Sequence, residues 1–222
     1  MFDLDGTLVD TVPARIEAWL ATFDELRIPA DRRHVAELIG SDGKRLAREV
    51  AAADGQPIDD ERAEEIDRRA GQLYGELNRD PRPLPGAESL LRSLDVAGIS
   101  WAIATSSRTK QVGASVAALR LPRAPVLVDG GRVAHAKPAP DLLLAAAEEL
   151  GVRPARCWAV GDAVWDVMAA AAAGMTAVGV TAGSVVGADR LRQAGARVIV
   201  AELSELGPLL GLPTTAPPLR SS

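Results

Sequence analysis

The sequence predicts an α/β fold, a doubly wound parallel sheet with a second, all-helical unit inserted after its first strand. Three observations predict it. Short apolar runs alternate with longer stretches of helical periodicity through the second half of the chain, the pattern of a parallel sheet covered on both faces. The runs are nearly continuous in apolar residues, as buried parallel strands should be. Between the first run and the second, Pro13 to about Arg79 carries no convincing strand.

Taken in order, Met1–Leu4 is the first predicted strand. Ile16, Trp19, Leu20, Phe23 and Leu26 then recur at helical spacing, with breaks at Ile28–Ala30 and Gly55–Pro57. Pro81-Arg82-Pro83-Leu84-Pro85-Gly86 reads as a stiff return linker. Strands follow at Ile99–Ala104, Val126–Val128, Cys157–Val160, Thr176–Val180 and Val198–Val200. Helical segments separate them at Thr109–Ala118, Pro138–Leu150, Val164–Ala173 and Ala188–Ala194. The expected division is residues 1–11 and 84–212 for the core, 12–83 for a helical cap and 213–222 for a loose tail rich in Pro, Thr and Ser. An insertion joined by two chain crossings can hinge over the strand ends as a lid.

Composition excludes several functions. Among 222 residues, 25 Lys and Arg face 30 Asp and Glu, a net charge of −5, and the aromatics are 4 Trp, 1 Tyr and 2 Phe. This lacks both the basic field and the stacking rings of a nucleic-acid binder. No apolar run reaches the ~18 residues of a membrane span, and the opening Met-Phe-Asp-Leu-Asp is no signal peptide, so a cytoplasmic protein is expected. Cys157 is the only cysteine, which excludes an internal disulfide and a multi-cysteine metal site, and it is expected as a small buried strand residue.

Four short segments carry chemistry. In Asp3-Leu4-Asp5-Gly6-Thr7-Leu8, two carboxylates two residues apart leave the strand on one side, at the carboxyl end where doubly wound sheets bind ligands. Like charges this close call for a cation or a shared proton, and hard oxygen ligands favour Mg²⁺. The strand Trp101–Ala104 runs into Thr105-Ser106-Ser107, hydroxyls suited to capping the next helix or to holding a phosphoryl oxygen. Lys137, stiffened by Pro138 and Pro140, is a surface lysine or a fixed phosphate ligand. In Gly161-Asp162-Ala163-Val164-Trp165-Asp166, the acids either cap a helix or share a metal with Asp3 and Asp5. In the cap, Arg15 on the first helix could reach a substrate anion, and Gly40-Ser41-Asp42-Gly43-Lys44-Arg45 reads as a polar loop for specificity. Trp19 and Trp101 read as packing residues, and His34 and His135 lack metal or triad spacing.

Asp3-x-Asp5-Gly-Thr, the Thr105 strand end, Lys137 with its Pro-x-Pro-Asp, and Gly161-Asp162-x-x-x-Asp166 resemble, in order, the motifs of the haloacid dehalogenase superfamily, in its phosphatase and phosphomutase branch. The resemblance implies a Rossmann-like core and a covalent aspartyl-phosphate mechanism. Asp3 would be the nucleophile and Asp5 the acid and base. Thr105 and Ser106 would hold the phosphoryl group, and Lys137 would neutralise charge. Mg²⁺ would be held by Asp3, the Asp5 backbone carbonyl, Asp162 and Asp166. The implied function is a Mg²⁺-dependent phosphatase of a small phosphorylated metabolite, with substrate contacts from Ser106, Arg15 and Lys44. The alternatives are a β-phosphoglucomutase-like enzyme and a non-catalytic phosphate-binding remnant. Members that cleave haloacids or phosphonates lack the acid at Asp5. Two departures stand out. Ala136 replaces a common Gly, tolerable if its φ is negative. Only Met1 and Phe2 precede the nucleophile, so a late start or a truncated first strand is expected.

Overall fold

The computed structural model describes residues 1–212, and the tail expected at 213–222 lies outside them. Its strands are β1 (Ala102–Thr105), β2 (Val126–Asp129), β3 (Trp158–Gly161), β4 (Thr176–Val180) and β5 (Val198–Val200). β1 pairs with β2, and β3 with β4 and β4 with β5, all in parallel. The opening segment joins the two halves. Phe2 bridges in parallel to Ile103 on one side and to Val160 on the other. Its amide donates to Ala102 O at 2.9 Å, its carbonyl accepts from Ala104 N at 2.8 Å, and Asp3 N donates to Val160 O at 2.9 Å. The resulting order is β2, β1, opening segment, β3, β4, β5, with Asp3 at the sheet centre.

The two faces of this sheet are unlike. Ile103, Val160 and Val178 point to one side, against α5 (Ala87–Val96) and Val112 and Leu119 around α6 (Thr109–Ala118). Ala102, Ala104, Ala159 and Ala177 point to the other, against α7 (Asp141–Glu149), α8 (Val164–Ala172) and Leu191 of α9 (Gly187–Ala194). Alternation of bulky and small residues at period two lets the alanine-rich α8 approach the sheet closely. That approach sets the start of α8 beside the strand ends.

The inserted helices are α1 (Val12–Glu25), α2 (Arg32–Leu38), α3 (Gly43–Ala53) and α4 (Asp60–Leu77). Asp31, Asp42 and Asp59 cap the last three, each side chain accepting backbone N–H groups of the first turn. Phe23, Val35, Leu46, Val50 and Ile66 form their core, which also takes in Ala163 and Trp165 from the start of α8. Trp19 stacks on Phe23 with centroids 5.6 Å apart.

The structure corrects several expectations. Gly43, Lys44 and Arg45 form the first turn of α3 rather than a loop, because Asp42 caps them with bonds of 2.9 Å to Lys44 N and 3.1 Å to Arg45 N. α7 starts at Asp141 rather than Pro138, because the ring of Pro140 disfavours the helical conformation of Ala139 before it. Ile99–Trp101 lies outside β1, and α5 is a further helix beyond those expected. Cys157 sits just before β3 and is half-buried, not a buried strand residue. Among the described residues, no helix is long and apolar enough to cross a membrane.

Candidate active site

The carboxyl ends of the opening segment, β1 and β3 meet under the helical unit. Asp3 follows the central bridge, and Gly6 then turns the chain with φ +85°. A Cβ at Gly6 would overlap the Asp162 carboxylate, so the turn packs directly against it. The turn is closed by Gly6 N donating to Val9 O at 2.8 Å and by Leu8 N and Val9 N donating to Leu4 O at 3.0 Å each.

Asp3, Asp162 and Asp166 are all buried and each brings one oxygen within 4.8 Å of the others. Lys137 enters the group from the loop before α7, with Nζ 2.5 Å from Asp3 Oδ1 and 2.7 Å from Asp166 Oδ1. Asp166 Oδ1 is aligned with no hydrogen-bond donor. Asp166 Oδ2 accepts from Ala163 N at 3.0 Å, and Asp162 Oδ1 accepts from Thr7 Oγ1 at 2.8 Å. Ala136, beside Lys137, is absent from the positive-φ residues, so alanine fits there.

The electrostatics follow from this crowding. Burial, reinforced by Asp166 and Asp5 and opposed by Lys137, raises Asp3 to about 7. Burial and the charges of Asp166 and Asp3 raise Asp162 well above the carboxylate range. Lys137 is shifted upward, since Asp166 and Asp3 outweigh its desolvation. Three carboxylates against one ammonium leave negative charge to be compensated, and an all-oxygen set fits a hard divalent cation.

Asp5 has a different setting. Its carboxylate turns from the acidic cluster to four donors, Thr11 Oγ1 at 2.7 Å, Tyr74 OH at 2.9 Å, Ser107 Oγ at 2.8 Å and Arg15 Nη2 at 2.8 Å. Burial opposes its ionisation, yet Arg15 with the Thr11 and Ser107 bonds holds it below the usual range. Thr105 is buried, and its Oγ1 accepts from Ser107 N at 3.2 Å. Ser106 Oγ donates to Gly40 O at 3.1 Å.

The helical unit is closed over these groups. Asp42 N donates to Lys137 O at 2.9 Å, and Trp165 Nε1 donates to Glu37 O at 3.1 Å. Arg108 reaches Glu64 at 2.6 Å and Asp67 at 3.3 Å. The enclosed chamber, about 50 Å³, has Asp3, Asp5, Thr105 and Ser106 on the core side and Arg15, Trp19 and Asp67 on the helical side. Lys44, in the first turn of α3, is not among the residues that line the chamber. A larger cavity of about 500 Å³ opens at the opposite end of the sheet, beside Trp101 and Trp158, and holds none of the acidic groups.

Of the residues expected from sequence, Asp3, Lys137, Asp162 and Asp166 meet in one cluster, and Asp5, Arg15, Thr105 and Ser106 border it. Thr7 and Ser107, which stand inside two of the quoted motifs, join the site, as do Thr11, Tyr74 and Arg108, which no motif assigned to it. Tyr74 is the chain's one tyrosine, and Thr11 is a polar position just before Pro13 at the start of the first helical pattern, which are the signals available for them.

A parallel sheet with a carboxylate cluster at its strand ends, covered by a helical unit, places a ligand site where open α/β enzymes carry theirs. A family model for haloacid dehalogenase-like hydrolases matches residues 1–174, and the chain belongs to that family. It is 35% identical over 211 residues to "Probable phosphatase IndB" of Dickeya dadantii, covering 93% of this chain and 90% of that protein. It is 33% identical to phosphoglycolate phosphatase of Escherichia coli, covering 96% of this chain and 92% of that protein. A solved hydrolase from Pseudomonas syringae superposes with a TM-score of 0.89 at 34% identity, covering 95% and 96% of the two chains.

Proposed function

We propose that the protein is a phosphoric monoester hydrolase that cleaves a small phosphorylated metabolite through an aspartyl-phosphate on Asp3, with Mg²⁺ as cofactor. One observation carries the reading: the buried Asp3 carboxylate touches Lys137 within the Asp162 and Asp166 cluster, while Asp5 stands beside it in a separate hydrogen-bond setting. Two carboxylates with unlike surroundings suit unlike tasks.

Asp3 attacks phosphorus as the bond to the leaving oxygen breaks, and Asp5, ionised in the free protein, gives that oxygen a proton that it first takes up from the bound phosphate monoanion. The leaving alcohol departs and the phosphoryl group stays on Asp3. Asp5, now a carboxylate, takes a proton from water as the water oxygen attacks phosphorus. This frees phosphate, restores the Asp3 carboxylate and reprotonates Asp5. Thr105 and the Ser106 amide hold the transferring group, and Lys137 offsets charge on Asp3 and the phosphoryl oxygens. Asp3, the Asp5 carbonyl, Asp162 and Asp166 would hold Mg²⁺, which when bound supplies positive charge for the phosphoryl oxygens. The closed helical unit excludes water from the first transfer.

The test is phosphate release from p-nitrophenyl phosphate with Mg²⁺ and with EDTA, for the wild type and Asp3→Asn. Metal-dependent turnover that the substitution abolishes is the expected result. Turnover that persists in Asp3→Asn removes the covalent mechanism, and turnover unchanged in EDTA removes the metal.

A further inference from the structure

We propose that Tyr74 is a positioning residue that orients both oxygens of Asp5 from the helical unit. The inference rests on the acid and base role given to Asp5 above. Tyr74, on α4, is 1% exposed, and its hydroxyl donates to Asp5 Oδ1 at 2.9 Å. Its ring lies beneath Arg15, with the guanidinium carbon 3.7 Å from the ring centroid, and Arg15 Nη2 reaches Asp5 Oδ2 at 2.8 Å. One side chain therefore acts on one oxygen directly and on the other through a stacked cation.

The direction of the hydroxyl is fixed from behind. Asn78 Nδ2 donates to Tyr74 OH at 2.7 Å and to Ser115 Oγ at 3.0 Å. An amide N–H can only donate, so the tyrosine oxygen accepts there, and its single hydrogen goes to the charged Asp5 at 2.9 Å rather than to Ser115 Oγ at 3.5 Å. Asn78 and Ser115 are both buried, which makes an unfilled bond costly and holds the chain of partners in one arrangement. Arg15 and Tyr74 belong to the helical unit, whereas Asp5 belongs to the sheet. Closure of the lid thus sets the acid in place.

A positioning role makes a specific prediction about leaving groups. An alkoxide needs the Asp5 proton as it departs, whereas p-nitrophenolate leaves without one. Tyr74→Phe keeps the buried ring under Arg15 and removes only the hydroxyl. It should lower kcat/KM for ethyl phosphate about tenfold and for p-nitrophenyl phosphate less than about threefold. Tyr74→Leu, which also removes the platform, should lower the ethyl phosphate value further. Asn78→Ala should show the same substrate dependence in weaker form, and it serves if Tyr74→Phe proves unstable in a thermal melt. Equal losses on both substrates, or no loss, would overturn the proposal. If Asp3→Asn keeps its turnover, the underlying mechanism fails; if it is dead while Tyr74→Phe loses both substrates equally, only the role of Tyr74 fails.

Discussion

Replacing Asp162 by Asn should make the protein more stable without metal and less responsive to Mg²⁺. Asp3, Asp162 and Asp166 hold oxygens within 4.8 Å of one another, with Lys137 in contact with Asp3 and Asp166. Two unit charges at that separation repel by about 3–4 kcal/mol at an effective dielectric near 20. Proton uptake limits the penalty, because each pKa unit of upward shift costs about 1.4 kcal/mol above the folded pKa. Asn keeps an oxygen to accept from Thr7 and removes one charge. The expected gain in EDTA at pH 8 is about 2–3 kcal/mol, or about 4–12 °C in a thermal melt. The sign is that of a carboxyl raised in the folded state: the penalty is full at high pH and disappears as pH falls toward the unfolded value of 3.8. The gain should therefore shrink near pH 4. Millimolar Mg²⁺ should raise the melting temperature of the wild type more than that of Asp162→Asn. An Asp162→Asn protein no more stable than wild type in EDTA at pH 8 would refute the idea that carboxylate repulsion governs the stability of the metal-free cluster.

Gly161→Ala would drive a Cβ into the Asp166 carboxyl group, so Mg²⁺ affinity, read by the metal dependence of the melt, should fall about 10–100-fold. Phe23→Ala empties a fully buried site in the helical unit and should cost about 3–5 kcal/mol in urea unfolding. Asp67, raised to about 6 chiefly by burial, penalises the fold when ionised. Asp67→Asn should therefore gain about 1–2 kcal/mol at pH 8 after losing its Arg108 pair, and about a third as much at pH 4.5, in paired melts.

The acidic cluster was legible because Asp3 and Asp162 each follow an apolar run, Asp166 lies one helical turn after Asp162, and strand ends in a parallel sheet converge. Asp3, Thr105, Lys137 and Asp162 are distant in sequence yet share one edge for that reason. In the second setting, around Asp5, Arg15 and the Ser107 hydroxyl were named from sequence, but as contacts for a substrate rather than for Asp5. Tyr74 and Ser107 lie 69 and 102 residues from Asp5, and nothing periodic marks a helix residue whose partner comes from another layer. Lys44 shows the opposite failure. A Gly-bearing polar run looks like a loop, but an Asp side chain accepting two amides turned it into a helix start. Element ends shifted where prolines or turn bonds intervened, as at Pro138–Pro140 ahead of α7.

The four donors on Asp5 come from different parts of the chain, two of them from helices that are inserted as a block. Exchanging that block between relatives would leave every acidic motif of the sheet untouched and still change the environment of the acid. A grafted lid would have to bring an equivalent of Arg15 and Tyr74 and find Ser115 waiting for its Asn78. Lid diversity in such a scaffold is constrained at its inner seam, while its outer helices are free to vary with the molecules it admits.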